Sequence, residues 1–240
     1  QAHTFYPVHL WRNEEKHILA NELVPPSTPL EEGADPNDEA SYAKYRLTDY
    51  TPELMLNEAV GFMKENQDHP FFLYFASPIP HVPLQAPQRW VDHYKEKFGK
   101  EEPYIGNKSY FPNQTPRATY AAMVSYLDES VGKLMATLDE MDLDDNTVVI
   151  YSSDQGFYIG DHGWYDKRWM YEESLRMPLV MRWPGRVKPG TEVQQMVQNI
   201  DFAPTLLDAA GAAIPTEMQG KTMLPLLSRK ATETPWRKSI

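Results

Sequence analysis

The stretch Thr147-Val148-Val149-Ile150-Tyr151-Ser152-Ser153-Asp154-Gln155-Gly156, continued by Phe157-Tyr158-Ile159-Gly160-Asp161-His162-Gly163-Trp164-Tyr165-Asp166-Lys167-Arg168, decides how this chain is read. A β-branched and aromatic run suits a buried strand, and it breaks off at small polar residues, a carboxylate, an amide and a glycine. In open α/β sheets ligands bind beyond the carboxyl ends of the strands, so Asp154, just past such a strand, is aimed into a crevice from a rigid element. Asp154 and Gln155 both present oxygen, which suits a hard cation such as Ca²⁺ or Mg²⁺. Asp-x-Gly after a strand is also ordinary turn chemistry, since both residues serve turns for conformational reasons alone. The density of His162, Lys167 and Arg168 among Gly160, Gly163, Trp164 and Tyr165 exceeds what a turn needs.

Working outward, the residues from Pro116 to about Met141 form the clearest helix, with Tyr120, Met123, Val124, Leu127, Val131, Leu134 and Leu138 on one stripe facing a sheet. Asp128 and Glu129 fall between stripe positions and read as a solvated face. Further upstream, Phe71-Phe72-Leu73-Tyr74-Phe75-Ala76 reads as a second buried strand. It runs straight into Ser77-Pro78-Ile79-Pro80-His81-Val82-Pro83-Leu84, whose three prolines lock φ and forbid a helix. His81 therefore sits on a stiff loop at a strand's carboxyl end, where it is either structural or a ligand or acid–base group. Residues 85 to 116 read as a long excursion rich in Pro, Tyr, Lys and Asn, of the kind that walls binding clefts. Asn107-Lys108-Ser109 and Asn113-Gln114-Thr115 are formal glycosylation sequons.

Thr51-Pro52-Glu53 supplies an N-cap, a proline at the first helical position and an acid favoured by the helix dipole, followed by Leu56, Ala59, Val60 and Met63 on one face. Residues 1 to 24 show no clean period and read as irregular, and the proline-rich, acidic segment from Pro25 to Glu39 reads as a surface loop. On the other side of the central stretch, Pro178-Leu179-Val180-Met181-Arg182-Trp183 is a further strand ended by Pro184-Gly185. Asp201 can cap a last helix through Leu206, Leu207 and Ala210, stopped by Gly211. This order implies an α/β fold, a mostly parallel sheet with helices on both faces.

Composition narrows the function. The 240 residues can bury a sizeable core as one large domain or part of one. With 34 Asp and Glu against 23 Lys and Arg, the formal net charge is -11, which argues against nucleic acid as a partner and requires a local basic pocket for any anionic ligand. No cysteine is present, so disulfides, thiolate metal sites and cysteine nucleophiles are excluded for these residues. No apolar run is long enough for membrane insertion.

At this point four pieces, in order, resemble one family, the sulfatases of the alkaline phosphatase superfamily. Ser77-Pro78-Ile79-Pro80-His81-Val82-Pro83-Leu84 resembles its Pro-His-x-Pro loop, and Ser152-Ser153-Asp154-Gln155-Gly156 its Ser-Asp-(Asn/His)-Gly strand end. Gly160-Asp161-His162-Gly163 with Lys167 is similar to the Gly-Glu-His-Gly…Lys segment of carbohydrate-acting members, and Ile200-Asp201-Phe202-Ala203-Pro204-Thr205-Leu206-Leu207 to its late helix. The likeness spans roughly residues 65 to 227.

The resemblance implies an alkaline-phosphatase-like fold and hydrolysis of sulfate esters, with a sulfated small molecule or glycan as the partner. It implies Ca²⁺ on Asp154 and Gln155, His81 binding sulfate and protonating the leaving oxygen, Lys167 pairing with sulfate charge, and His162 and Arg168 nearer the sugar. A divalent cation, Lys and His together suit a transferring group of spread negative charge. Gln155 stands where the family has Asn or His. The family's formylglycine arises from Cys or Ser in a Cys/Ser-x-Pro/Ala-x-Arg motif that these residues do not contain, and its early paired aspartates are missing as well. The chain is therefore expected to be part of a sulfatase catalytic domain, residues 1–240, lacking the nucleophile region and a carboxy-terminal subdomain, and inactive alone. The alternatives are a phosphodiesterase or phosphonate hydrolase of the same superfamily and a noncatalytic sulfated-glycan binder. The resemblance implies a periplasmic, secreted or lysosomal setting.

Overall fold

The computed structural model describes residues 4–107, 109–227 and 236–237, in two compact units, Gln1–Asp144 and Asp145–Ile240. The first unit opens with a hairpin, β1 (His9–Arg12) and β2 (Glu15–Ile18), paired antiparallel from His9↔Ile18 to Arg12↔Glu15. Its two-residue loop places Asn13 at φ 55°, a conformation Asn tolerates better than most residues. The expectation of an irregular start is thus corrected; the hairpin lacks apolar alternation because Trp11 and Ile18 are both exposed.

The proline-rich loop is irregular as expected, and it is held by tyrosines. A 3-10 helix, Glu39–Tyr45, buries Tyr42 and Tyr45 against Phe111. The Tyr45 hydroxyl donates to the Pro29 carbonyl at 2.6 Å and that of Tyr42 to Pro36 at 2.9 Å, so loop carbonyls that prolines cannot pair in a ladder find donors.

Three helices make most of this unit: α1 (Thr51–Glu65), α2 (Gln88–Phe98) and α3 (Pro116–Glu140). Helix α1 begins as expected but one residue out of register. Tyr50, not Thr51, is the cap, and the Thr51 N–H donates to the Phe5 carbonyl at 2.8 Å. Leu56, Ala59 and Met63 are buried.

Helix α3 is rotated from the expected stripe. Ala118, Ala122, Met123, Tyr126 and Ser130 are buried while Val124 is 44% exposed, because small residues let α3 approach α1 and α2 closely. The described contacts of α3 are with those helices rather than with a sheet. Glu129 is not simply solvated: it accepts from Arg89 Nη2 at 2.5 and 2.7 Å and from Trp90 Nε1 at 2.7 Å, clamping α2 to α3.

Helix α2 lies inside the expected excursion. Its legible sign was the four-residue spacing of Trp90, Tyr94 and Phe98, followed by Gly99 at φ 72°. The sequon at Asn113 is committed to structure: its amide donates to the Leu84 carbonyl and its oxygen accepts from Thr119. The expected strand at residues 71–76 pairs with nothing among the described residues. It keeps a two-residue alternation, with Phe72 70% and Tyr74 81% exposed, but alternation becomes a strand only where a neighbour supplies the ladder.

The second unit carries both other expected strands. β3 (Val149–Ser152) pairs with β6 (Leu179–Arg182) antiparallel, Val149↔Arg182 through Ser152↔Leu179. Between them come a small hairpin, β4 (Tyr158–Ile159) and β5 (Tyr165–Asp166), and the one-turn helix α4 (Glu172–Leu175). All named strand pairs among the described residues are antiparallel, and the expected mostly parallel sheet with helices on both faces is not seen among them.

Helix α5 (Phe202–Ala209) follows a 3-10 turn, Asn199–Asp201, and Gly211 ends the segment at φ 70°. Asp201 does not cap α5 with its side chain. It accepts from the Gln198 and Lys221 backbone N–H groups at 2.8 Å each, and pairs with both terminal nitrogens of Arg237. No helix among the described residues is long and apolar enough to cross a membrane.

Candidate active site

The end of β3 is pinned on several sides. Ser152 Oγ donates to the Pro178 carbonyl at 2.9 Å, Ser153 Oγ to the Gln155 carbonyl at 2.9 Å, and Asn199 Nδ2 to the Asp154 carbonyl at 3.0 Å. Gly156 N–H then donates to the Ser174 carbonyl at 2.9 Å. A Cβ on Gly156 would overlap the Glu173 carbonyl oxygen, so close approach to the backbone of α4, rather than a left-handed turn, demands glycine here.

This anchoring shapes a cleft of about 240 Å³ whose lining includes Asp154, Gln155, Lys167, Arg168, Trp169 and Ser174. Four of the residues expected from sequence are thereby brought together. One Asp154 oxygen, Oδ1, accepts the Gln155 N–H at 3.0 Å, while Oδ2 has no protein donor among the described residues. The Gln155 amide is likewise uncommitted among them. The Lys167 ammonium has no carboxylate partner among the described residues, although its carbonyl accepts from Ser174 Oγ at 3.2 Å. Arg168 is partly neutralised by Asp166, Nε to Oδ2 at 2.9 Å.

The donor chemistry fits a hard cation but does not complete its shell. Asp154 and Gln155 supply oxygen, yet Ca²⁺ takes about 6–8 oxygen ligands, and no cluster of three or more His, Cys, Asp or Glu suited to a metal occurs among the described residues. A cation held here would draw its remaining ligands from elsewhere, water included.

His162 and His81 lie outside the cleft lining. His162, at φ 54°, reaches Glu173 Oε1 from Nε2 at 3.0 Å and lies 5.2 Å from the Tyr171 ring. His81 belongs to the first unit, half-buried between the cis bonds Ile79–Pro80 and Val82–Pro83. Its Nδ1 donates to the Val82 carbonyl at 2.5 Å, and its ring stands edge-on to Tyr110 at 6.5 Å. A further cavity, in the first unit, holds about 20 Å³, room for roughly one water.

Sequence reading passed over several residues that shape the site. Tyr158 is fully buried; its hydroxyl donates to the Trp169 carbonyl at 3.0 Å and accepts the Tyr171 N–H at 3.2 Å. Glu173, Ser174 and Asn199 act through partners 7 to 45 residues away, and no local pattern announces such pairs. Trp169 had a signal, as an apolar residue beside two cations, but one that core packing produces as readily.

Structural neighbours place the chain in the alkaline-phosphatase-like fold class. It superposes on a protein solved with its substrate D-glucosamine-2-N,6-O-disulfate at TM-score 0.69 and 25% identity, covering 80% of this chain and 55% of that one. The i-CgsB protein, solved with k-i-k-neocarrahexaose, gives TM-score 0.61 and 28% identity over 83% of this chain and 41% of its own. Within that class the likeness is to sulfatases. Residues 160–240 match the family model of the N-sulphoglucosamine sulphohydrolase C-terminal region. The N-acetylglucosamine-6-O-sulfatase of Bacteroides thetaiotaomicron is 46% identical over 121 residues, 50% of this chain and 22% of that protein. Human N-acetylglucosamine-6-sulfatase is 29% identical over 215 residues, covering 80% of this chain and 38% of its own length. In sequence and in structure the chain is sulfatase-like, and it spans well under half of these relatives.

Proposed function

We propose that this chain supplies the cation-holding and sulfate-gripping part of a sulfatase that hydrolyses sulfate esters of sugars. The observation that carries this reading is the Lys167 ammonium, without an anionic partner among the described residues, in one cleft with Asp154 and Gln155. An unneutralised cation in a chain of net charge -11 suits a polyoxygen anion, and the oxygen donors Asp154 and Gln155 in the same cleft would suit a divalent metal. The relatives' names point the same way: two are N-acetylglucosamine-6-sulfatases, and one neighbour was solved with a sulfated glucosamine.

In this reading Asp154 and Gln155 hold Ca²⁺, which when bound offsets charge on the sulfate oxygens. Lys167 grips the sulfate, with charge stabilisation strongest where water is excluded. For His81, in the first unit, the family resemblance alone supplies the role of sulfate ligand and proton donor to the departing sugar oxygen. Arg168 and His162 lie toward the sugar, each steadied by its own carboxylate, Asp166 and Glu173. The formylglycine nucleophile of the family requires a Cys or Ser motif absent from these residues.

The test is release of inorganic sulfate from N-acetylglucosamine-6-sulfate by the full-length protein, alongside Lys167→Ala and Asp154→Ala. Each substitution is expected to lower kcat/KM by about 10²–10³-fold with folding intact. Calcium chelation should do the same, reversed by added Ca²⁺. Cleavage of phosphodiesters in place of sulfates, or tight binding of the sugar sulfate without turnover, would overturn the reading.

A further inference from the structure

The sulfate-gripping reading leaves an aromatic surface unexplained. Trp164, just before β5, and Trp169, just after it, stack at 4.6 Å with a 38° tilt, yet they stay 41% and 46% exposed. Met170 beside them is 82% exposed. Two indoles packed together without being covered leave apolar area in water, and such patches commonly mark binding sites.

Trp169 is also held firmly. The buried Tyr158 hydroxyl binds the carbonyl of Trp169 and the N–H of Tyr171, tying both to the small β4–β5 sheet. Trp164 backs the Trp169 ring, and Trp169 lines the cleft that holds Lys167 and Arg168. A fixed aromatic face beside an unpaired cation is complementary to one kind of molecule, a ring with an apolar face and an anionic substituent.

We infer that Trp169, backed by Trp164, is the platform on which the pyranose ring of a sulfated sugar stacks while its sulfate reaches Lys167. The inference rests on the sulfatase reading for the identity of the anion. The indole face meets the axial C–H bonds of the sugar, and the ring hydroxyls stay at the edge, where water and Arg168 can serve them. Trp169 thereby sets a preference for sugar sulfates over the bare sulfate ion.

The deciding experiment compares Trp169→Ala and Trp169→Phe in the full-length protein. It measures KM and the calorimetric Kd for N-acetylglucosamine-6-sulfate, and the inhibition constant of inorganic sulfate. Stacking of this kind supports about a tenfold effect. For Trp169→Ala, KM and Kd for the sugar sulfate should rise about tenfold, while sulfate inhibition changes less than twofold. Trp169→Phe should recover most of the loss, which a merely structural role would not predict. Lys167→Ala should weaken both ligands. An unchanged sugar Kd in Trp169→Ala would overturn the platform, and so would equal losses for sugar sulfate and inorganic sulfate. Absence of turnover in the unaltered protein would count against the sulfatase reading alone, because the calorimetric comparison still decides the platform.

Discussion

The two units of this chain are stabilised by different means. In Gln1–Asp144, α1, α2 and α3 bury apolar and aromatic side chains such as Phe5, Ala122 and Met123, and helical periodicity organises the packing. In Asp145–Ile240 the regular elements are short, and position is set by buried polar groups and close backbone contacts. Asp201 is wholly buried with its charge paired, Tyr158 bridges two backbone groups, and Gly156 and Gly220 admit neighbouring carbonyls where a Cβ would collide. A ligand site needs polar side chains left uncommitted at the surface. A unit built from specific polar anchors can hold such side chains still without covering them.

That contrast is open to direct attack. The largest effect is expected from Asp201→Ala, which strands Arg237 beside removed acceptors. Breaking one side of a buried ion pair costs about 3–5 kcal/mol, read as lost amide protection in residues 145–227 while that of residues 51–140 persists. Acid should reach the same anchor. Burial pushes the Asp201 carboxyl up, but Arg237 and the two backbone N–H groups more than offset it, leaving the group below its ordinary 3.8. A depressed carboxyl contributes stability that is complete above the unfolded value and fades as pH falls through the folded one. Protection of the second unit should therefore drop below about pH 3.8, and Asp201→Asn should flatten that dependence.

Met123→Ala is the matching lesion in the first unit. It empties a fully buried position between helices and should cost about 2–5 kcal/mol in denaturant midpoint, concentrated in residues 51–140. If either substitution loosens both units equally, the contrast fails.

Gly156→Ala should cost about 1–3 kcal/mol, since α4 must retreat from the strand end. In the proposed reading it should weaken sugar-sulfate binding out of proportion to its stability cost, because Asp154 and Gln155 move with that backbone. Smallest is Glu129→Gln. The Arg89–Glu129 pair clamps two helices, but its side chains are 57% and 43% exposed, so solvent screening should hold the loss below about 1 kcal/mol in the thermal midpoint.

Much of this was legible. The spacing of Leu56, Ala59 and Met63 located α1, the β-branched run located β3, and the residues clustered after it included four of the cleft's side chains, Asp154, Gln155, Lys167 and Arg168. Helix α2 escaped because its polar composition hid the spacing of Trp90, Tyr94 and Phe98. The strand expected at Phe71–Ala76 shows the converse: the side-chain pattern is present, while pairing belongs to whatever lies alongside.

The sequence by itself determined where helices form, where the central strand ends, and that oxygen donors and cations follow it, because periodicity and side-chain chemistry are local properties. Only the tertiary structure decided that β3 pairs antiparallel with β6, that Gly156 is needed for contact with α4, and that Trp169 shares a cleft with Lys167. Those facts depend on atoms distant along the chain coming within a few ångströms, and the free energy that selects such contacts is spread over the whole folded unit.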